Sequence, residues 1–123
     1  MTADVHVTAQ HFVLAVPDVR ETARWWIDVM GFEIWADPPG WVFLRRGACS
    51  LMLGECPDAL PPSDLGDHQY FAYVVLDDLD AFHAEIAARG ADVRPPQDRP
   101  WGMREMPVAT PDGHRIMFGQ DLG

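Results

Sequence analysis

The apolar positions of this chain follow two periods, about two residues and then about three and a half, and that order recurs once. The first run, His11-Phe12-Val13-Leu14-Ala15-Val16, is β-branched and aromatic enough to predict a strand, and Pro17 ends it. Asp18 stands three residues before Glu21, an acidic variant of the capping box, so a helix is expected from about residue 19 to 30. Val19, Ala23, Trp26, Ile27 and Met30 give it an apolar stripe at helical spacing, and Gly31 supplies the stop. Phe32 to Trp35, Trp41 to Leu44 and Ser50 to Leu53 follow as short strands around the turns Asp37-Pro38-Pro39-Gly40 and Gly47. The proline-rich stretch from Pro57 to Asp67 reads as a linker.

Beyond it the same order returns. Phe71 to Val75 is a strand, and Asp77 or Asp78 caps a helix near 78–89 with Leu79, Phe82 and Ile86 buried. Gly90 stops it. Val93, Met103 to Val108 and Arg115 to Phe118 are strand candidates, with Pro111-Asp112-Gly113 as the last turn. Val16 and Val75, Asp18 and Asp77, Ile27 and Ile86, and Gly31 and Gly90 each lie 59 positions apart. One register thus aligns strand, cap, stripe and stop, which points to an internal duplication of a βαβββ unit. The modules span roughly residues 6–57 and 68–121, with the linker at 58–67. With one helix for four strands, each sheet can be covered on one face only. The other face is free to curve into a cup for a small molecule.

At 123 residues the chain has room for one domain, and its 48% hydrophobic content is that of a globular protein. No apolar run nears the roughly 18 residues that span a bilayer, and the first residues lack the basic and apolar regions of an export signal. A cytoplasmic location is the expectation. The net charge of −10 argues against nucleic acid, whose phosphates would be repelled, and is compatible with a cationic ligand. Cys49 and Cys56 are expected to stay reduced, with Cys49 as a small core residue.

His11-x-x-Leu14-x-Val16-x-Asp18 and Trp25-Trp26-x-x-x-Met30-Gly31-Phe32 resemble the opening of the vicinal-oxygen-chelate superfamily of glyoxalases, bleomycin-resistance proteins and dioxygenases. Val75-x-Asp77-Asp78-Leu79 with Gly90 resembles its second half. Pro100-Trp101-Gly102-Met103-Arg104-Glu105, then Thr110-Pro111-Asp112-Gly113-His114 and Phe118, is similar to the bleomycin-resistance branch, apart from an additional Met103. The resemblance implies an α+β fold: two tandem βαβββ modules forming a curved mixed sheet, with a concave cup and the helices on the outer face. It also implies a homodimer with clefts built from both subunits.

Enzymes of the superfamily hold a divalent metal with His and Glu on the first and last strands of the modules. His11 matches one such position. The 59-residue register puts Tyr70 at its counterpart, a poor ligand near neutral pH. Met117 falls where a carboxylate is usual, and its thioether does not suit an oxygen-rich site. The region of Ser50 and Met52 offers no carboxylate either. No metal and no cofactor are therefore expected, although His11, His68 and Glu105 leave a rearranged site open. Trp101 matches a tryptophan that the resemblance implies in drug binding, while Trp35 and Trp41 lie near turns where rings can line a cleft. The candidate ligand-binding residues are Trp101, Trp35, Trp41, His11, Tyr70, Glu105, Met52 and Met117. The residues favour a binder that sequesters a flat aromatic, possibly cationic, natural product in a dimer cleft. The alternative is a glyoxalase-like lyase or isomerase, a dioxygenase or a fosfomycin-type transferase with a degenerate or shifted metal site.

Overall fold

Pro17 and Asp18 act as their types dictate. The strand β1 (Phe12–Val16) ends before the proline, and the Asp18 carboxylate accepts from the Arg20 and Glu21 amides to open α1 (Val19–Asp28). The computed structural model describes residues 6–66 and 69–123. The first module continues with β2 (Glu33–Ala36), β3 (Trp41–Arg46) and β4 (Cys49–Glu55). A short 3-10 turn, Pro62–Leu65, lies in the linker. The second module runs through β5 (Ala72–Val75), α2 (Leu79–Ala88), β6 (Gln97–Asp98), β7 (Met103–Ala109) and β8 (Arg115–Asp121).

Each module builds its own four-stranded mixed sheet, in the orders β1-β4-β3-β2 and β5-β8-β7-β6. The first strand of each pairs parallel with the last, Phe12 opposite Leu51 and Ala72 opposite Ile116, and the other ladders are antiparallel. The helix α1 packs on β2, β3 and β4, and α2 on β7 and β8. Leu14, Val16, Val42, Leu44, Leu51 and Leu53 of one sheet, and Met106, Val108, Ile116 and Phe118 of the other, join the helix stripes in one core. The opposite faces are uncovered, with Val13, Trp35, Trp41, Tyr73 and Val75 exposed.

The repeat is real, but its register differs from the one that common residues suggest. Val16 is buried against the helices, whereas Val75, 59 positions on, lies on the exposed face. The residue that matches Val75 is Ala15, which is also exposed, and the cap that matches Asp18 is Asp78, whose carboxylate accepts from the Ala81 amide. Trp26 and Ile86 then occupy equivalent buried positions, again 60 apart. A slip of one residue moves every strand side chain to the other face, so the difference matters. It makes Phe71, not Tyr70, the counterpart of His11. Only the glycine stops Gly31 and Gly90, both at positive φ, keep the 59 spacing, because the exit from α1 is one residue longer.

Two further departures have local causes. No strand forms at Val93. Pro95 and Pro96 follow at once and have no N–H to give a ladder, so the strand is reduced to Gln97–Asp98. The α1 stripe also includes Thr22, which is buried and donates its hydroxyl to the Asp112 carboxylate in the last turn of the other module. A second tie between modules is Arg46, which reaches past Gly31 to the Met30 carbonyl at 2.9 Å and to both Glu85 oxygens. That guanidinium holds the Glu85 carboxyl below the usual carboxylate range, by hydrogen bonding first.

Candidate functional site

The uncovered face of the first sheet is aromatic. Trp41 and Phe43 alternate with the buried Val42 and Leu44 on β3, so their rings lie on the free side, 6.0 Å apart between centroids. Trp35 is the extra residue of a β-bulge, with Ile34 opposite Leu44 but Ala36 opposite Phe43. The bulge aims the Trp35 ring across the sheet, 5.0 Å from Phe43 and 5.8 Å from His11. His11 Nδ1 and Ser50 Oγ are 2.7 Å apart, which fixes the imidazole on this face. Met52 sits opposite Phe43 in the ladder. Gly54 has no side chain because the Trp41 ring lies over it: a Cβ there would stand 2.9 Å from two ring atoms.

The second sheet repeats the device with different chemistry. Gly119 lies opposite Glu105, as Gly54 lies opposite Trp41, and here the Tyr73 phenol covers the glycine. Tyr73 donates to Glu105 Oε2 at 2.8 Å, and the Trp101 indole N–H donates to the same oxygen at 3.1 Å. Glu105 is buried, and its Oε1 stands 3.5 Å from Arg99 Nε. Trp101 sits in a tight turn in which the Gly102 amide donates to the Arg99 carbonyl. Pro100 has the fixed φ that the second turn position favours, and Gly102 takes φ +82° after it. That turn throws the ring out of the β6–β7 hairpin, 65% exposed, while Glu105 holds its N–H edge. Met117 faces the same side, opposite Tyr73 and Pro107.

Partial burial, and then the Glu105 carboxylate, push the Tyr73 phenol up to about 12. A phenol raised in this way contributes stability that is complete below its ordinary value of 10.0 and lost as pH rises through about 12. The stability of the parent is expected to fall over that window, and Tyr73→Phe to fall less steeply. Denaturant midpoints measured across the window check this; an unchanged alkaline slope in the variant would show that the fold does not raise the phenol.

The structure groups the candidate residues of the sequence into two sets. His11, Trp35, Trp41 and Met52 share the first sheet's free face, and Glu105, Met117 and Trp101 the second's. Tyr70 precedes β5 at the surface and joins neither set through a hydrogen bond or ring contact. His68 lies outside the described residues. No hydrogen bond or ion pair joins His11 to Glu105 among those residues, because each is engaged within its own sheet. Nor do three His, Cys, Asp or Glu side chains converge there, so the donor set of a resident divalent metal does not assemble among them. The Cys49 thiol is pushed up by burial, the opposite of nucleophile activation.

The model of the Glyoxalase/Bleomycin resistance protein/Dioxygenase superfamily matches residues 8–118. The chain belongs to this superfamily. Among solved structures of the superfamily's fold, TioX from Micromonospora sp. ML1 is 27% identical, with a TM-score of 0.76 over 94% of this chain and 100% of that one. The bleomycin-binding protein from bleomycin-producing Streptomyces verticillus, complexed with copper(II)-bleomycin, is 26% identical, with a TM-score of 0.73 over 93% and 96%. A bleomycin resistance determinant encoded on the transposon Tn5 shares the fold at 23% identity, with a TM-score of 0.78 over 94% and 98%. No curated protein matches the sequence.

Three residues of this glyoxalase-superfamily face escaped the sequence reading. Phe43 and Tyr73 carry a strand signal, since Phe43 stands two residues from Trp41 and Tyr73 two residues before the exposed Val75. Arg99 carries none, because its approach to Glu105 exists only once the β6–β7 hairpin folds back.

Proposed function

We propose that this chain acts in the cytoplasm as a binding protein that sequesters a flat aromatic small molecule without transforming it. The cleft is completed by a second copy of the chain. Trp101 carries the reading. Its ring is held at the N–H edge by a buried carboxylate, and its face stays open to solvent. A ring fixed before binding loses little conformational freedom when a ligand stacks on it. Trp35, Trp41, His11 and Met52 form a matching wall on the other sheet, and Met117 adds adaptable apolar surface beside Tyr73. Glu105 positions Trp101 rather than meeting the ligand with a free charge, and Tyr70 stays at the rim.

The exposed Val13, Tyr73 and Val75 lie on uncovered sheet faces that a second copy would cover, which supports the homodimer. The net charge of −10 favours an aromatic with a cationic part. The copper(II)-bleomycin held by the Streptomyces verticillus relative supports sequestration as the mode of action.

Sedimentation at micromolar concentration is expected to show a dimer. Titration with bleomycin and with planar dyes such as ethidium should quench tryptophan fluorescence, and mass spectrometry should recover the bound molecule unchanged. A monomer, an absence of quenching by every planar probe, or a probe altered only in the protein's presence would overturn the reading.

A further inference from the structure

Every cationic side chain in this sequence is an arginine, nine in all, against nineteen Asp and Glu. Five are spent on carboxylates: Arg20 on Asp37, Arg45 on Glu33, Arg46 and Arg89 on Glu85, and Arg104 on both Asp80 and Asp98. Arg94, Arg99 and Arg115 differ, and they line one cavity of about 390 Å³ on the uncovered face of the second sheet. Among the described residues Arg94 makes no hydrogen bond or ion pair. Arg115 gives its two terminal nitrogens to the Gly66 and Ser63 carbonyls at 2.9 and 3.3 Å, so it is fixed in place without being neutralised. Arg99 Nε is buried with no hydrogen-bond partner among the described residues, and its contact with Glu105 Oε1 at 3.5 Å is an ion pair only.

In a chain with twice as many acids as arginines, a guanidinium Nε left without a hydrogen bond cannot be put down to a shortage of carboxylates. A buried donor without a partner is costly, and an incoming acceptor removes that cost. Two carboxylates, Asp92 and Glu105, also border the cavity, but Glu105 is already shared among Tyr73, Trp101 and Arg99. Val93 and Pro107 give the space an apolar floor.

We propose that this cavity takes an oxyanion, a carboxylate, sulfonate or phosphate group carried by the same ligand whose ring stacks on Trp101. Guanidinium forks match the planar or tetrahedral oxygens of such groups. The two subsites adjoin because one carboxylate separates them: Glu105 holds the indole on Oε2 and faces Arg99 with Oε1. The ligand therefore joins a flat ring to an acidic arm, and any positive charge sits elsewhere on it. The location of the arm rests on the aromatic-binding reading; the oxyanion subsite itself does not.

The test compares naphthalene-2-sulfonate with the neutral naphthalene-2-methanol by calorimetry, alongside inorganic sulfate by thermal shift, on the parent and on Arg94→Ala. Arg94 is an exposed loop residue, so its loss should leave the fold intact. The sulfonate should bind at least about tenfold more tightly than the alcohol, the scale of one charge-assisted hydrogen bond, and Arg94→Ala should abolish that difference. Equal binding of the two naphthalenes by the parent overturns the oxyanion subsite and leaves the aromatic site standing. A sulfonate preference that Arg94→Ala leaves intact overturns it too. If neither naphthalene binds but sulfate raises the melting temperature in an Arg94-dependent way, the subsite stands and the aromatic reading falls. Silence from all three probes overturns both.

Discussion

Trp26→Ala is expected to destabilise the protein by about 3–5 kcal/mol, the range for emptying a buried aromatic site. Trp26 is fully buried at the centre of the shared core, with its ring 5.2 Å from Trp25 and 4.9 Å from Phe32. It also lies 6.5 Å from Phe71 of the other module, so the cavity would open where the two halves meet. Among the described residues the indole nitrogen has no hydrogen-bond partner, and Trp26→Phe therefore removes an unsatisfied donor while keeping most of the ring. That variant should cost much less, about 1–2 kcal/mol, because the donor's removal offsets part of the lost packing. Urea midpoints at an unchanged slope measure both. A loss below about 1 kcal/mol for the alanine variant would remove Trp26 from the core.

Trp101→Ala should have the opposite profile. The ring is mostly exposed, so stability should change by no more than about 0.5 kcal/mol, as for other surface positions. Affinity for a planar aromatic should fall by about 1–3 kcal/mol, the scale of one stacking contact and its burial. Trp101→Phe keeps a ring but loses the N–H that Glu105 holds, and should fall between the two. Calorimetric titration with ethidium, beside denaturant midpoints, separates the outcomes. An alanine variant that unfolds readily would make Trp101 structural, and one that binds as the parent does would remove it from the site.

The fold was largely legible because its signals are local. Asp18 and Gly31 bracket one helix, Asp78 and Gly90 the other, and alternation marks the strands between. The register of the repeat was not, because Val, Asp and Ile recur often enough to align at the wrong offset. Burial decides it: Val16 and Val75 face opposite ways. At the site, Trp101, Glu105 and His11 could be singled out by type and motif. Their partners could not, since Tyr73 reaches Glu105 only across the β5–β8–β7 ladder. The overall charge likewise conceals local charge, for a chain at −10 still gathers three arginines around one cavity.

The division of labour between the two sheets bears on how the chain is made. All ladders of the first sheet lie between Phe12 and Glu55, so they can close as soon as that segment leaves the ribosome. Its apolar side cannot, because Phe12 and Trp26 wait for Phe71, and Arg46 waits for Glu85. At about 5–20 residues per second, that half-finished surface stays bare for roughly 1–6 s during each round of synthesis. Apolar surface exposed in this way is prone to non-native association, so a substitution that weakens Phe71 or Glu85 should be felt in the yield of folded protein before it is felt in ligand affinity.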